Sequence, residues 1–221
     1  MNFEQRLRRW FKPRFAILYP FGIFVILFAN CDGRSLKLGI PFMIAGEAIR
    51  LWANGYAVKS EKLTTSGPYA FVRHPLYLGT VFLVVGFIIF LKVYYIGLAF
   101  LAAMAVVYSG TIRREEGMLE GRFKEYAVYR RKVPAMIPTA FPYRGGKRWG
   151  FSFERLIRSQ EYKPLLWIPV LVIVFYLKAK LFVEKEALDG RNLALMITAA
   201  LLVVVDIAGE AVKYWKKKHM A

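Results

Sequence analysis

Apolar residues run through this chain in long blocks set apart by short polar stretches, not in the strict alternation of half-buried strands. Six blocks stand out, at 15–31, 38–58, 76–91, 93–112, 165–183 and 193–212. A helix that crosses a bilayer takes about 20 residues at a rise of about 1.5 Å each. The pattern therefore predicts an all-α fold, a polytopic integral-membrane bundle of about six transmembrane helices. The block at 76–91 is the shortest, and it enters the bilayer either with little tilt or with part of the loop before it. Only a few residues around Lys92 separate it from the next block, so the two form an antiparallel hairpin.

The polar stretches divide the chain into four parts. Residues 1–14 mix basic and aromatic side chains (Arg6, Arg8, Arg9, Trp10, Phe11, Lys12, Arg14) and suit an interfacial helix. Residues 15–140 form a membrane-embedded core of four spans with a polar cofactor-binding segment. Residues 141–164 are a basic, glycine-rich linker, and 165–221 add a two-helix extension. No small-residue cleavage site follows the first block, which reads as an anchor rather than a cleaved signal. Beyond the fourth block, Phe123, Tyr126 and Tyr129 recur three apart, which predicts an amphipathic helix continuing that span until Val133-Pro134 ends it.

Composition agrees: 57 % of the 221 residues are hydrophobic, above the level of a soluble domain. The net charge of +18 changes the picture only through its distribution. With the N-terminus placed in the cytoplasm, 25 of the 33 Lys and Arg residues fall on the cytoplasmic side. That is the positive-inside asymmetry, so both termini are expected in the cytoplasm of a bacterial or archaeal inner membrane or an endoplasmic reticulum. The basic surface then faces membrane lipids, and nucleic acid is not expected as a partner. Cys31 is the only cysteine and there are two histidines, so neither an intrachain disulfide nor a metal site is expected.

Candidate chemistry concentrates at the two ends of the hairpin. Before it lies 64–79, T-T-S-G-P-Y-A-F-V-R-H-P-L-Y-L-G, where a turn-rich loop delivers Arg73 and His74 to a helix opened by Pro75. After it stand Glu115 and Glu116. The hairpin brings these ends together, so a histidine, arginines, tyrosines and two carboxylates are expected to converge at the inner membrane face. Glu47 and Arg50, three apart inside the second block, lie on one helical face at membrane depth, where charge is either functional or a self-neutralising packing pair. Asp206 and Glu210 near the end of the last block are expected to be structural.

The run G-P-Y-x-F-V-R-H-P-L-Y-L-G, followed by R-x-E-E-x-x-L-x-x-x-F-x-x-Y-x-x-Y-x-x-x-V-P-x-x-I-P, resembles the isoprenylcysteine carboxyl methyltransferase family. The family is part of a wider group of membrane methyltransferases that includes phospholipid N-methyltransferases. The resemblance covers about 38–138. Lys124 departs from it, since many relatives have Gly after the Phe. It implies S-adenosylmethionine held on the cytoplasmic side without a Rossmann domain, and no strand–G-x-G-x-x-G–helix unit occurs here. On that reading the cofactor-binding residues are Tyr69, Val72, Arg73, His74, Pro75, Tyr77, Leu78, Gly79, Glu115, Glu116, Tyr126 and Tyr129. Arg73, His74 and Glu116 are the catalytic candidates. The glutamates would accept from ribose hydroxyls or the ammonium, Arg73 and His74 would engage the carboxylate, and tyrosines would meet the adenine or the sulfonium. Glu47, Arg50 and Arg130 are candidates for the acceptor, a lipophilic small molecule or prenylated group entering from the bilayer. O-methylation of an isoprenylcysteine-like carboxylate is the favoured reading and N-methylation of a phospholipid or other amphiphile the alternative. An NADPH-dependent sterol-type reductase and a non-catalytic membrane protein are the rivals from other classes. The reductase pattern R-H-x-N-Y-x-G-D is missing at Pro75-Leu76.

Overall fold

The computed structural model describes residues 25, 28–58, 62–160 and 162–219. The interfacial segment expected at 1–14 and most of the first block lie outside the described residues. Within them every regular element is helical and no strand occurs. The helices are α1 (Gly33–Tyr56), α2 (Pro75–Leu91), α3 (Tyr94–Arg122), α4 (Tyr126–Lys132), α5 (Phe153–Ser159), α6 (Pro164–Lys178) and α7 (Gly190–His219), with a short 3-10 turn at Gly67–Ala70.

Three stretches are long and apolar enough to cross a membrane, Tyr94–Arg122, Pro164–Val183 and Gly190–Val212, and they make this an integral membrane protein. Of the about six spans expected, these three meet both length and composition among the described residues. Helix α1 has the length, but Arg34, Lys37, Glu47 and Arg50 dilute its apolar character. Helix α2 is strongly apolar, but it has only 17 residues.

Local chemistry sets the helix ends. Asp32 caps α1, its carboxylate accepting from the Ser35 amide at 2.7 Å while the Ser35 hydroxyl accepts from the Asp32 amide at 3.0 Å. Pro75 opens α2, where the missing N–H breaks no helical bond. Lys92, in the left-handed region at φ 55°, turns α2 into α3, and its ammonium pairs with Asp32. The predicted hairpin is thus present.

The innermost contact is between α1 and α2, which run antiparallel with their backbones touching. Gly39 lies against Gly86 and Gly46 against Gly79. A Cβ built on Gly39 or on Gly46 would come within 2.6 Å of the facing carbonyl oxygen. Small residues are what allow such an approach, and close packing is what holds helices together in lipid. Helices α3 and α7 are different: only 6 % of either apolar window is buried.

The helix expected to continue α3 through Tyr129 is instead broken. Phe123 takes an extended conformation that closes α3, and α4 restarts at Tyr126. The break lets Tyr126, Tyr129 and Val133 turn inward, where they are almost fully buried against Leu63, Leu119, Phe123 and Tyr143. Burying two large aromatic rings outweighs the few helical hydrogen bonds forgone. The stretch 141–164, expected to be a linker, is a strap pinned across the end of α1. Trp149 donates its indole N–H to the Tyr56 carbonyl at 2.9 Å, the Ser152 amide donates to the Gly55 carbonyl at 2.9 Å, and Arg155 Nε donates there at 3.0 Å.

Candidate active site

The loop before α2 is held by the chain that follows α4. The amides of Arg73 and His74 donate to the carbonyls of Pro134 and Ala135 at 2.9 and 3.1 Å, and those of Thr139 and Tyr143 donate to Phe71 and Ala70 at 2.9 and 2.8 Å. A segment some sixty residues downstream therefore fixes where Arg73 and His74 stand. The Val133-Pro134 and Ile137-Pro138 pairs keep that segment extended, which leaves its carbonyls free to accept.

Glu116 is the hub. It is buried, and its Oε1 lies 2.7 Å from Arg73 Nη2 and 3.2 Å from His74 Nε2, while Oε2 lies 3.4 Å from Arg130 Nε. Two guanidinium groups and an imidazole so surround one carboxylate, which is what its burial requires. Arg73 is committed further, donating from Nη1 to the carbonyls of Arg130 and Val133 at 2.6 and 3.0 Å. Arg130 also reaches Glu120 at 3.2 Å. Glu115 is half-buried: it accepts from the Tyr77 hydroxyl at 2.8 Å and lies 3.6 Å from His74 Nδ1.

Burial is the main cause that pushes the His74 pKa below its ordinary value, and it outweighs the two neighbouring carboxylates that act the other way. The ring is therefore neutral at pH 7. A carboxylate only accepts, so the nitrogen facing Glu116 is the one that carries the proton, and Nδ1 keeps its lone pair on the Glu115 side. Burial likewise raises the phenol pKa values of Tyr126 and Tyr129. Tyr129 donates to the Tyr69 carbonyl at 2.6 Å. The Tyr126 hydroxyl is buried near Glu116 without a hydrogen bond of ordinary length.

These groups wall a cavity of about 440 Å³ between the start of α2, the end of α3 and α4. That is within the range of about 300–1,000 Å³ usual for small-molecule sites. Of the residues singled out in the sequence, Tyr69, Arg73, His74, Pro75, Tyr77, Glu115, Tyr126 and Tyr129 line it together. Glu116 and Arg130 stand behind that wall. Val72 is buried, Leu78 does not reach the cavity, and Gly79 belongs to the α1–α2 seam. Glu47 and Arg50 are elsewhere: Arg50 donates to the Thr80 hydroxyl at 2.6 Å, and Glu47 lines an apolar groove of about 430 Å³ between α1 and α6. Sequence reasoning missed Lys62, Leu63, Met118 and Arg122 as lining residues. For Met118 and Arg122 the signal was present, since they follow Glu115 at helical spacing of three and seven.

The fold and site together define a helical membrane protein with a tyrosine-walled cavity of mixed charge at one end of a hairpin. Residues 39–121, from α1 to the last turn of α3, match the sequence model of the isoprenylcysteine carboxyl methyltransferase family. The cobalt-zinc-cadmium resistance protein CzcN of Cupriavidus metallidurans is 34 % identical over 125 residues, 54 % of this chain and 56 % of its own. The nickel-cobalt-cadmium resistance protein NccN of Alcaligenes xylosoxydans xylosoxydans is 34 % identical over 103 residues, 46 % of this chain and 47 % of its own. The protein-S-isoprenylcysteine O-methyltransferase of Schizosaccharomyces pombe is 31 % identical over 129 residues, 57 % of this chain and 54 % of its own. The match thus spans about half the length of each of these relatives. No solved structure matches the chain.

Proposed function

We propose that this protein is a membrane methyltransferase that takes its methyl group from S-adenosylmethionine, bound in the cavity beside Glu115, and passes it to a lipophilic acceptor. The observation that carries the reading is the convergence of Arg73, His74, Glu115, Glu116 and the tyrosines about one cavity, largely within the segment that matches the methyltransferase family model. The donor set fits the cofactor. A sulfonium and an ammonium call for carboxylates and aromatic faces, and Glu115 with Tyr69, Tyr77 and Tyr126 supplies both. The buried Tyr126 hydroxyl is a further polar group for a ligand to meet.

When bound, S-adenosylmethionine supplies an electrophilic methyl carbon on sulfur. The chain's own part is to hold and to exclude water. Arg73 and Arg130 fix Glu116, Glu116 fixes the His74 tautomer, and Nδ1 of His74 together with Glu115 is left to accept hydrogen bonds from the ligand. Arg73 serves here as a positioning residue, because its Nη1 donates to two carbonyls and its Nη2 pairs with Glu116. Glu115, Nδ1 of His74 and the tyrosines would hold the cofactor, which would supply its methyl carbon to the acceptor's lone pair with the neutral thioether as leaving group. A carboxylate acceptor is already ionised at pH 7 and requires no base, so positioning and desolvation carry the rate. The name of the Schizosaccharomyces pombe relative supports O-methylation of an isoprenylcysteine-like carboxylate. The positive-inside asymmetry supports a cytoplasmic cofactor site.

Calorimetry on the purified protein tests the donor: S-adenosylhomocysteine should bind and NADPH should not, and the reverse result would refute the proposal. Membranes given methyl-labelled donor test the acceptor. Base-labile label indicates an ester, whereas base-stable label indicates an N-methyl product and overturns the carboxylate assignment.

A further inference from the structure

A second cavity, of about 410 Å³, lies on the other side of the 3-10 turn from the candidate active site, under the 141–149 part of the strap. Its floor and walls are aromatic: Trp52 and Tyr56 from α1, Phe71 from the loop, Tyr143 and Trp149 from the strap. Arg144 and Arg148 line it as well, and no Asp or Glu does. Lys62, Arg73 and Arg122 line the first cavity together with the carboxylate of Glu115, whereas this one has cations and no carboxylate among its lining residues, which suits an anionic ligand.

The cavity is preformed. The Ser66 hydroxyl donates to the Lys147 carbonyl at 3.3 Å and accepts from the Trp149 amide at 3.2 Å, and the Tyr143 amide is tied to Ala70. Gly146 sits so close to Thr65 that an added Cβ would meet its hydroxyl at 2.1 Å. Each other cation of the strap has a partner: Arg155 donates to Gly55 and Gly150, and Arg158 pairs with Glu154 at 2.6 Å. Arg144, Lys147 and Arg148 make no side-chain hydrogen bond or ion pair among the described residues. On the same strap Phe141 and Phe153 are 83 % and 73 % exposed, which suits the head-group boundary of a bilayer and not open water. Tryptophan and tyrosine with arginine are also the side chains that settle at that depth.

We propose that this cavity is a binding site for the phosphate head group of an anionic phospholipid in the leaflet that meets the basic face. Arg144 and Arg148 would hold the phosphodiester through charge-assisted hydrogen bonds, with Trp52 and Trp149 beside the glycerol. The proposal does not depend on the methyltransferase reading. It assigns to the 141–164 stretch, which lies outside the family segment, the task of seating the end of α1 on the membrane surface.

Native mass spectrometry of the full chain, released from detergent with equal amounts of phosphatidylglycerol and phosphatidylcholine, tests it. The wild-type chain should retain phosphatidylglycerol about thirtyfold over phosphatidylcholine, as expected for two interfacial arginines. R144Q/R148Q should lose the preference while K185Q, on a distant loop, keeps it. The single variants R144Q and R148Q should each fall part of the way, which decides the matter if the double variant does not fold. Equal retention by the wild type, or a preference that survives R144Q/R148Q or disappears in K185Q, would overturn the proposal. Excess inorganic phosphate should leave the lipid bound; displacement would mean a site for free anions and would overturn it too.

Discussion

The α1–α2 pair and the α6–α7 pair are both made of apolar helices, yet they are held together in different ways. Between α1 and α2 four glycines bring the backbones into contact, and beside that seam Arg73 and His74, at the start of α2, stand within hydrogen-bond distance of Glu116 on α3. Between α6 and α7 the polar ties are peripheral: Trp167 donates to Asp206 at 3.3 Å and Lys163 pairs with Glu210 at 2.9 Å. Most of α7's apolar face is uncovered by protein, as a lipid-facing helix should be. Hydrophobicity places a helix in the bilayer but does not orient its polar residues; close packing does. This is why the candidate chemistry sits beside the glycine seam, and why Asp206 and Glu210 act as links between helices.

That contrast can be broken at its strongest point first. Glu116→Ala removes the acceptor shared by Arg73, His74 and Arg130 and leaves a buried guanidinium without its counter-charge, a loss of about 3–5 kcal/mol. Denaturation of the detergent-solubilised protein should show the drop, together with loss of S-adenosylhomocysteine binding. Gly46→Ala attacks the seam itself. Its Cβ would stand 2.6 Å from the Gly79 carbonyl oxygen and 2.8 Å from the Leu83 amide, so the helices must part, at about 1–3 kcal/mol. A smaller effect is expected from pH. The folded-state pKa of His74 is lowered, so the unfolded chain takes up the proton first, at about pH 6.5. Stability is then full above that pH and falls as pH drops through the lowered folded value, with a slope of at most about 1.4 kcal/mol per pH unit for one proton. Thermal unfolding between pH 8 and pH 5 should show this slope, and His74→Gln should flatten it. On the α7 side, Leu201→Ala on a face that is 59 % exposed should change unfolding by under about 0.5 kcal/mol. A large loss there would mean that the outer pair is packed as tightly as the inner one.

Much of the site was legible because its residues stand in unusual company: a histidine before a helix-opening proline, and two adjacent carboxylates at the end of an apolar run. The hairpin linking them followed from the few residues around Lys92. What stayed hidden was the division of labour inside the cluster. Nothing in the spacing says that Arg73 spends its donors on the carbonyls of Arg130 and Val133, because those carbonyls are placed by a segment sixty residues away. The break at Phe123 was equally hidden, since the three-residue recurrence of aromatics fits a continuous helix until burial of Tyr126 and Tyr129 favours a turn.

The sequence by itself determined that the chain is helical, that it lives in a membrane, and that its reactive groups gather at one end of a hairpin. These depend on composition and on order along the chain, which local hydrophobicity and turn chemistry read directly. Only the tertiary structure decided that Glu47 and Arg50 face away from the candidate active site, that the 141–164 stretch is a folded strap, and that Gly39, Gly46, Gly79 and Gly86 are a contact surface. Those facts depend on which helix faces which, and in lipid that choice is made by packing between backbones rather than by the apolar character the helices share.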